Sequence, residues 1–405
     1  MSSNRLITDK SEMEHRWLAI QAAMEQAGID CLFLWSTDRI FSSYMRYVTD
    51  FPTLLYPMSA LFSGKGISIV AHGAKDGAPY SPSIKNHGVI DYTSVPWTPT
   101  TTYAESLWPE KIAELVAKHG YKKIGLVGKG IIPTLFVEYF QEHLEGVELV
   151  DATHIVDDLK SVKSAYELDA AQRCVDVIDE IMVQIPALLN VGVGIRDIGL
   201  ELRAIADRLG CLNINILLGK HPSMPIMSMW EFTDNDLLQA GDAVCIMVEV
   251  SSVEGIWGEC ARIYSLGEPH EELQRTVNSA FELRDYLASQ LAAGAIPSEV
   301  YERYSALQQS KGFLPEKRFC AHGQGYDVME NPFIRPESHE PLKEGMFIAL
   351  HPTPMAPERQ TGCFVCDNYV ITQDGARLMS KTPAEIIRVD ICQATNVPEV
   401  THVSD

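Results

Sequence analysis

Phe319-Cys320-Ala321-His322-Gly323-Gln324-Gly325-Tyr326-Asp327-Val328-Met329-Glu330-Asn331-Pro332 is the stretch from which the fold of this chain is read. Glycine carries no Cβ and tolerates positive φ, so Gly323 and Gly325 let the backbone pass close to whatever the His322 imidazole engages. Imidazole is the side chain that binds metals and moves protons near neutral pH, which makes His322 the first functional candidate. His-Gly-x-Gly alone equally describes a glycine loop around a hydrogen-bonded histidine, so its meaning comes from the sequence around it.

Working outward, the stretch lies in the second copy of an internal near-repeat. Ile195-Arg196-Asp197-Ile198 through Gly210 and Ile296-Pro297-Ser298-Glu299-Val300 through Gly312 each read as a helix with a start signal and a closing glycine. Each is followed by a strand and then by a glycine-led strand, Ala240-Gly241-Asp242-Ala243-Val244 in the first half and Glu344-Gly345-Met346-Phe347-Ile348 in the second. Two like halves place a site at their interface, where concave pockets form. This second domain opens near Asp157, with Lys160 to Glu167 leading into a long helix through about residue 189, and is expected to span 158–405.

Ahead of it, Met13, Trp17, Ile20 and Met24 recur at helical spacing, and Asp30-Cys31-Leu32-Phe33-Leu34-Trp35 reads as a buried strand. Apolar stretches at 61–62, 66–70 and 123–127 alternate with helical segments at 105–119 and 134–144, which predicts an α/β domain over 1–157.

The chain has 405 residues and a net charge of −21, from 33 basic against 54 acidic side chains. That field repels nucleic-acid phosphates and anionic membranes, so neither is an expected partner. No apolar run reaches the roughly 18 to 20 residues that cross a bilayer, and the first residues have no signal-peptide core, which predicts a cytoplasmic protein. Nine scattered cysteines fit a reducing compartment better than a disulfide framework. Cys363-Phe364-Val365-Cys366 has CxxC spacing, but residues three apart in a strand face opposite sides and do not share one metal.

Taken together, Lys163-Ser164, Gly241-Asp242, Glu259-Cys260-Ala261-Arg262, His322-Gly323-x-Gly325, Gly345-Met346 with Pro352 after it, and Asp367 ahead of Thr372-Gln373-Asp374-Gly375 resemble the creatinase and Xaa-Pro peptidase superfamily over residues 14 to 388. The resemblance implies an α/β (α+β) chain: an N-terminal creatinase-like α/β domain, then a C-terminal pita-bread domain with an internal pseudo-twofold repeat. Metallopeptidases of that superfamily hold two metal ions with two aspartates, a histidine and two glutamates. Position by position, the second aspartate falls on Glu259, the histidine on His322, the first glutamate on His351 and the last on Cys366. The first aspartate falls on Met247 counting forward from Gly241, or on Val248 counting back from Glu259; Glu249 shares the strand face of Met247 and is the carboxylate available there.

Two readings of this altered set follow. Glu259, His322, His351 and Cys366 are all ligand types and suit one zinc or iron ion held tetrahedrally. Alternatively no ion is bound, as the resemblance to creatinase implies, and His351 and Cys366 are packed remnants of a former metal site. The two substrate histidines that the resemblance implies fall on Trp230 and Met329, and His221 offers an imidazole from a nearby loop.

The expected activity is hydrolysis of a non-peptide C–N bond in a small polar carboxylated or amino-acid-like substrate, with His322 as central base and Glu259, Glu249 and Glu330 as its carboxylate partners. Three alternatives stand beside it. Trp230 and the spacing of Glu249 resemble the dimethylsulfoniopropionate lyases, which points to elimination; a metal-dependent Xaa-Pro aminopeptidase or dipeptidase is the second; a non-catalytic binding module is the third. The many ionisable groups at the site favour an enzyme. The resemblance also implies a homodimer in which Tyr44, Arg46 and Tyr47 reach the partner's pocket, with Arg46 meeting a substrate carboxylate.

Overall fold

The computed structural model describes residues 8–37, 43–51, 56–77, 88–98, 106–220, 226–358 and 362–390. Its first part runs α1 (Lys10–Ala27), β1 (Cys31–Ser36), α2 (Ser43–Thr49), β2 (Met58–Ser63), β3 (Gly66–His72), β4 (Val89–Val95), α3 (Leu107–His119), β5 (Lys123–Val127), α4 (Thr134–His143), β6 (Glu148–Asp151) and α5 (Thr153–Ser161). The strands form one mixed sheet in the order β4-β3-β2-β1-β5-β6. β1 is buried on both faces, which is why it reads as a continuous apolar run. Its Cys31, Phe33 and Trp35 pack with Trp108, Ile112, Phe136 and Phe140 of α3 and α4, while Leu32 and Leu34 pack with Ile20 and Met24 of α1 and Val156 of α5.

The second part runs α6 (Ala165–Leu188), α7 (Ile195–Arg208), β7 (Asn213–Gly219), β8 (Met227–Ser228), β9 (Ala243–Ser251), β10 (Trp257–Leu266), α8 (Glu271–Gln290), α9 (Pro297–Ser310), β11 (Ala321–Gly323), β12 (Glu330–Ile334), β13 (Phe347–Leu350), β14 (Asp367–Thr372), β15 (Gly375–Leu378) and β16 (Ile387–Val389). Its two five-stranded sheets are ordered β8-β7-β9-β10-β16 and β12-β11-β13-β14-β15. Matched from the left, β7 answers β11, β9 answers β13 and β10 answers β14, so the near-repeat is a repeat of strand order. Individual hydrogen bonds repeat with it: Gly192 N donates to Leu238 O and Gly294 N to Leu342 O, both at 2.8 Å. Gly241 and Gly345 open β9 and β13, each at φ 86°, where a side chain is strained.

α6 begins at a capping box. Ser164 Oγ accepts from Glu167 N at 3.1 Å, and Glu167 Oε2 accepts from Ser164 N at 2.9 Å. The other Glu167 oxygen pairs with Arg16 of α1 at 3.2 Å, tying the start of the second part to the first. α5 runs through the expected domain change at 157–158 and stays against the first sheet; the chain leaves that layer at Val162–Ser164. The core is continuous across this junction, with Leu34, Val48 and Val156 in one cluster with Ala171, Val175, Ile256 and Phe347.

Candidate functional site

The two sheets of the second part touch where Ala261 of β10 and Cys366, just ahead of β14, exchange backbone hydrogen bonds of 3.2 and 3.3 Å. Side chains two apart share a strand face, so Glu259 is delivered to the same seam as Ala261 and Cys366. On the second sheet, His351 N donates to Cys320 O at 2.8 Å, which sets His351 beside the strand carrying His322. Four side chains from four separate segments therefore converge. His351 Nε2 lies 2.5 Å from Glu259 Oε1 and 2.8 Å from His322 Nε2, and His322 Nε2 is 3.4 Å from the same carboxylate oxygen. Cys366 Sγ donates to Glu259 Oε1 at 3.3 Å. One atom each from Glu259, His351 and Cys366 lies within 4.8 Å of the others.

All four residues are buried. Aromatic rings wall the cluster: Phe319 stands edge-on to His322 at 5.5 Å, and Phe364 packs on His351 at 5.2 Å. Burial works upward on Glu259, but the His351 and His322 imidazoles at its oxygen outweigh it and hold the carboxyl well below its ordinary range. Burial outweighs Glu259 at His351 and lowers that imidazole, which keeps it neutral, and burial followed by Glu259 raises the Cys366 thiol.

This donor set suits one borderline divalent ion: two imidazole nitrogens, one carboxylate and one sulfur that an ion would bind as thiolate. A ligating imidazole ordinarily donates its other N–H to an acceptor, and His322 Nδ1 is 2.9 Å from Gly323 O. His351 Nδ1, in contrast, is buried without a partner among the described residues.

Across the β9–β10 register Glu249 faces Glu259 and Met247 faces Ala261. Met247 packs with Ala261, Ala349 and Cys366 at the seam, whereas Val248 belongs to the core behind the sheet with Cys260. The position that would complete a second metal shell is thus an apolar thioether, and Glu249 lies on its face. Burial and then the charge of Glu259 push Glu249 up to about 8, and Asn215 of β7 donates to its Oε2. Asn215 was not anticipated from the sequence, although Asn213 and Asn215 alternate with isoleucines in β7, a pattern that asks where the polar groups point. Asn368 was also missed; it accepts from Glu259 N at 3.0 Å and donates to Glu259 O at 2.6 Å, fixing the strand that carries the carboxylate.

Other expected site residues lie elsewhere. Glu330 turns away from the cluster: its carboxylate is held by Lys160 at 3.2 Å and by Lys163, a buried ion cluster that occupies both oxygens. Arg46 is 3% exposed and is used within its own chain, donating to Glu254 O at 3.3 Å, Val253 O at 3.2 Å and Asp50 O at 2.9 Å, so it is not free to meet a substrate in a partner's pocket. Tyr47 is buried against Tyr326 and Arg16, and the Tyr44 ring lies 4.9 Å from Lys160 Nζ. Trp230 is 68% exposed on a turn after β8 and Met329 50% exposed ahead of β12. His221 lies outside the described residues. Cys363 points away from Cys366, its Sγ donating to Thr276 O at 3.8 Å, so the CxxC pair does not form one site.

Residues 169–373 match the family description Metallopeptidase family M24, and residues 16–162 match Creatinase/Prolidase N-terminal domain. A probable dipeptidase of Mycobacterium tuberculosis is 25% identical over 256 residues, 61% of this chain and 65% of that protein. An uncharacterized peptidase of Bacillus subtilis is 21% identical over 280 residues, 68% of this chain and 77% of its own length. In structure, the chain is similar to an X-Pro aminopeptidase of Thermotoga maritima, with a TM-score of 0.77 at 16% identity, covering 92% of this chain and 99% of that one. No helix among the described residues is long and apolar enough to cross a membrane.

Proposed function

The chain belongs to metallopeptidase family M24, and from that membership we propose a metal-dependent hydrolase of C–N bonds in small amides, with Xaa-Pro dipeptides as the substrate class that its relatives support. The observation that carries this reading is the convergence of Glu259, His351 and Cys366 within 4.8 Å, with His322 against His351. These four residues would hold one zinc or iron ion. A divalent ion there supplies Lewis acidity toward an amide carbonyl and makes water a nucleophile near neutral pH.

The chain's own groups do the rest. The His322 Nδ1–H bond to Gly323 O fixes the tautomer, so the Nε2 lone pair faces the cluster. Without an ion, Glu259 accepts from His351 and Cys366 and so gathers the donor atoms that would turn to the ion. Glu249, opposite Glu259 in the β9–β10 ladder and pushed up to about 8 by burial and then that neighbour's charge, would hand a proton to the departing nitrogen. The Phe319 and Phe364 rings lower the local dielectric at the cluster and strengthen the charge interactions in it.

A second reading, cleavage of a non-peptide C–N bond, is favoured by one observation: Trp230 and Met329 stand where the resemblance would place the two substrate imidazoles of a peptidase. Protein loaded with zinc or ferrous iron, dialysed and analysed for metal should carry one equivalent and release proline from Gly-Pro, with loss of turnover on chelation. Turnover that persists in ion-free protein sinks the metal assignment. Loaded protein that leaves Gly-Pro intact but cleaves a carbamoyl amino acid carries the second reading. In oxygen-18 water either hydrolysis labels its product, whereas an unlabelled unsaturated product would mean elimination. The proposal includes a homodimer, which light scattering at micromolar concentration should find at twice the chain mass.

A further inference from the structure

Arg262 of β10 is completely buried, and every N–H of its guanidinium is used. Nε donates to Pro383 O at 2.7 Å, Nη1 to Ala261 O at 2.8 Å and Cys366 O at 2.9 Å, and Nη2 to Asp367 Oδ1 at 2.7 Å and Thr382 O at 2.9 Å. The fork of donors is rigid and saturated, so the group cannot turn without leaving an acceptor unmet. The other Asp367 oxygen accepts from Nη1 of Arg284 in α8 at 2.6 Å, and the Phe281 ring lies 5.3 Å from the Arg262 guanidinium carbon and 4.9 Å from that of Arg284. Desolvation offsets most of the attraction within such a buried ion cluster, so what distinguishes it is which groups it holds in place.

What Arg262 holds is the seam. Ala261 and Cys366 exchange two backbone bonds of 3.2 and 3.3 Å, both long for N–H···O. The two carbonyls of that bridge are the ones that Arg262 Nη1 meets at 2.8 and 2.9 Å, so one nitrogen straddles the bridge with shorter bonds than the bridge itself makes. Successive side chains alternate along a strand, so Arg262 does this from the back, opposite the face that Glu259 shares with Ala261. The ligand types divide across the same seam, with Glu259 on the sheet of β9 and β10 and with His322, His351 and Cys366 on the sheet of β11, β13 and β14. Cys366 Sγ and Glu259 Oε1 are 3.3 Å apart because the bridge sets them so. Metal–ligand distances hold to within about 0.2 Å, so a small slip between the sheets takes the carboxylate out of reach of an ion held by the other three.

We propose that Arg262 is a positioning residue for the metal site: braced by Asp367 and Arg284, it presets the separation of the two sheets at which Glu259 reaches the ion that His322, His351 and Cys366 hold from the other side. The proposal rests on the reading of the cluster as a one-ion site. Arg262 and Asn368 act reciprocally. Asn368, from the far sheet, binds the main chain of Glu259, while Arg262, from the near sheet, binds the main chain of Cys366. A lysine at 262 keeps the charge beside Asp367, but its compact ammonium has too few donors to hold both bridge carbonyls as well. Arg284 serves as an internal control, since it pairs with Asp367 and meets neither carbonyl of the bridge.

The test loads wild type, Arg262→Lys and Arg284→Lys with cobalt(II), whose visible bands are strong in a tetrahedral site and weak at higher coordination, and to which a bound thiolate adds a near-ultraviolet charge-transfer band. Wild type should show both signals. Arg262→Lys should keep the thiolate band, lose visible intensity as water replaces Glu259, and bind cobalt about tenfold more weakly, the usual effect of removing a group that orients a ligand. Arg284→Lys disturbs the same ion cluster, so it should unfold at lower urea as Arg262→Lys does, yet keep the wild-type spectrum and affinity. Equal spectra and affinities in all three, or an equal loss in both variants, would make Arg262 a scaffold group and overturn the proposal. Amide exchange in the wild type gives a reading that does not depend on the variants folding. Without metal, the Ala261 and Cys366 N–H groups should exchange as slowly as the β9 amides bonded to β10, and cobalt should slow both sets alike. Bridge amides that exchange fast and are slowed selectively by cobalt would mean that the ion closes the seam, against the proposal. A wild type that takes up no cobalt sinks the one-ion reading itself, an outcome distinct from cobalt bound alike by all three proteins, which sinks only the role of Arg262.

Discussion

Each side chain of the cluster meets a partner that a single substitution removes. Cys366→Ser replaces the one sulfur donor with a hydroxyl, a far poorer ligand for zinc or iron, and should weaken metal affinity more than tenfold in a competition titration against a coloured chelator. The fold should survive, because serine fits the thiol's space at the seam. Unchanged affinity would remove Cys366 from the proposed set. Glu259, His322, His351 and Cys366 were reached through the resemblance to the superfamily, whose motifs mark those four positions, and the fold brings the four side chains together. Asn215 and Asn368 were not, since no motif marks them and their partners are set by register between strands far apart in sequence. Glu330 was misplaced for the complementary reason. Its nearness to His322 in sequence is plain, whereas its pairing with Lys160 and Lys163 exists only after closures of 170 and 167 residues.

Elements were legible where burial imposes one period. α1, β1, α6 and the two glycine-led strands all follow from apolar spacing and stop signals. α2 was not legible because its seven residues, Ser43–Thr49, are too short to show a helical period, and it is held by what Arg46 and Tyr47 touch. β4 and β6 are the half-exposed edges of the first sheet, with little apolar patterning, and β6 has only four residues. The glycine that opens β13 gives this scale its test. At φ 86° with Lys163 O 3.4 Å from a would-be Cβ, Gly345→Ala should cost about 1–2 kcal/mol, read as a lower urea midpoint at constant slope. Gly241→Ala has the same φ but open space around it, so strain alone sets its cost and it should fall at the lower end. A neutral Gly345→Ala would mean that the strand start relaxes freely, against the repeat's shared geometry.

For the whole molecule, the junction between the first sheet and the pita-bread part carries a buried ion cluster in a strongly acidic protein. Lys160 of α5 reaches Asp327 at 2.8 Å, Glu330 at 3.2 Å and Asp157 at 3.6 Å, and Lys163 holds the other Glu330 oxygen. Burial works upward on Glu330, but Lys160 and Lys163 outweigh it and hold its carboxyl below the ordinary range. The unfolded chain therefore takes up this proton at about pH 4.3, before the folded protein does. Between those values the unfolded state binds more protons, so the contribution is full above about pH 4.3 and is lost as pH falls through the folded value. Asp157 has the opposite sign, because burial exceeds the pull of Lys160 and raises it, so it binds its proton more readily when folded and softens the same acid transition. Glu330→Gln leaves two buried lysines without their shared anion and should cost about 3–5 kcal/mol at pH 7, the usual result of breaking a buried pair from one side. Measured by urea unfolding from pH 7 to pH 3, the gap between wild type and variant should close on the acid side, because protonation removes from the wild type the charge that the variant already lacks. A gap that stays constant to pH 3 would mean that Glu330 holds the junction by packing, and the two lysines would then need another explanation for their burial.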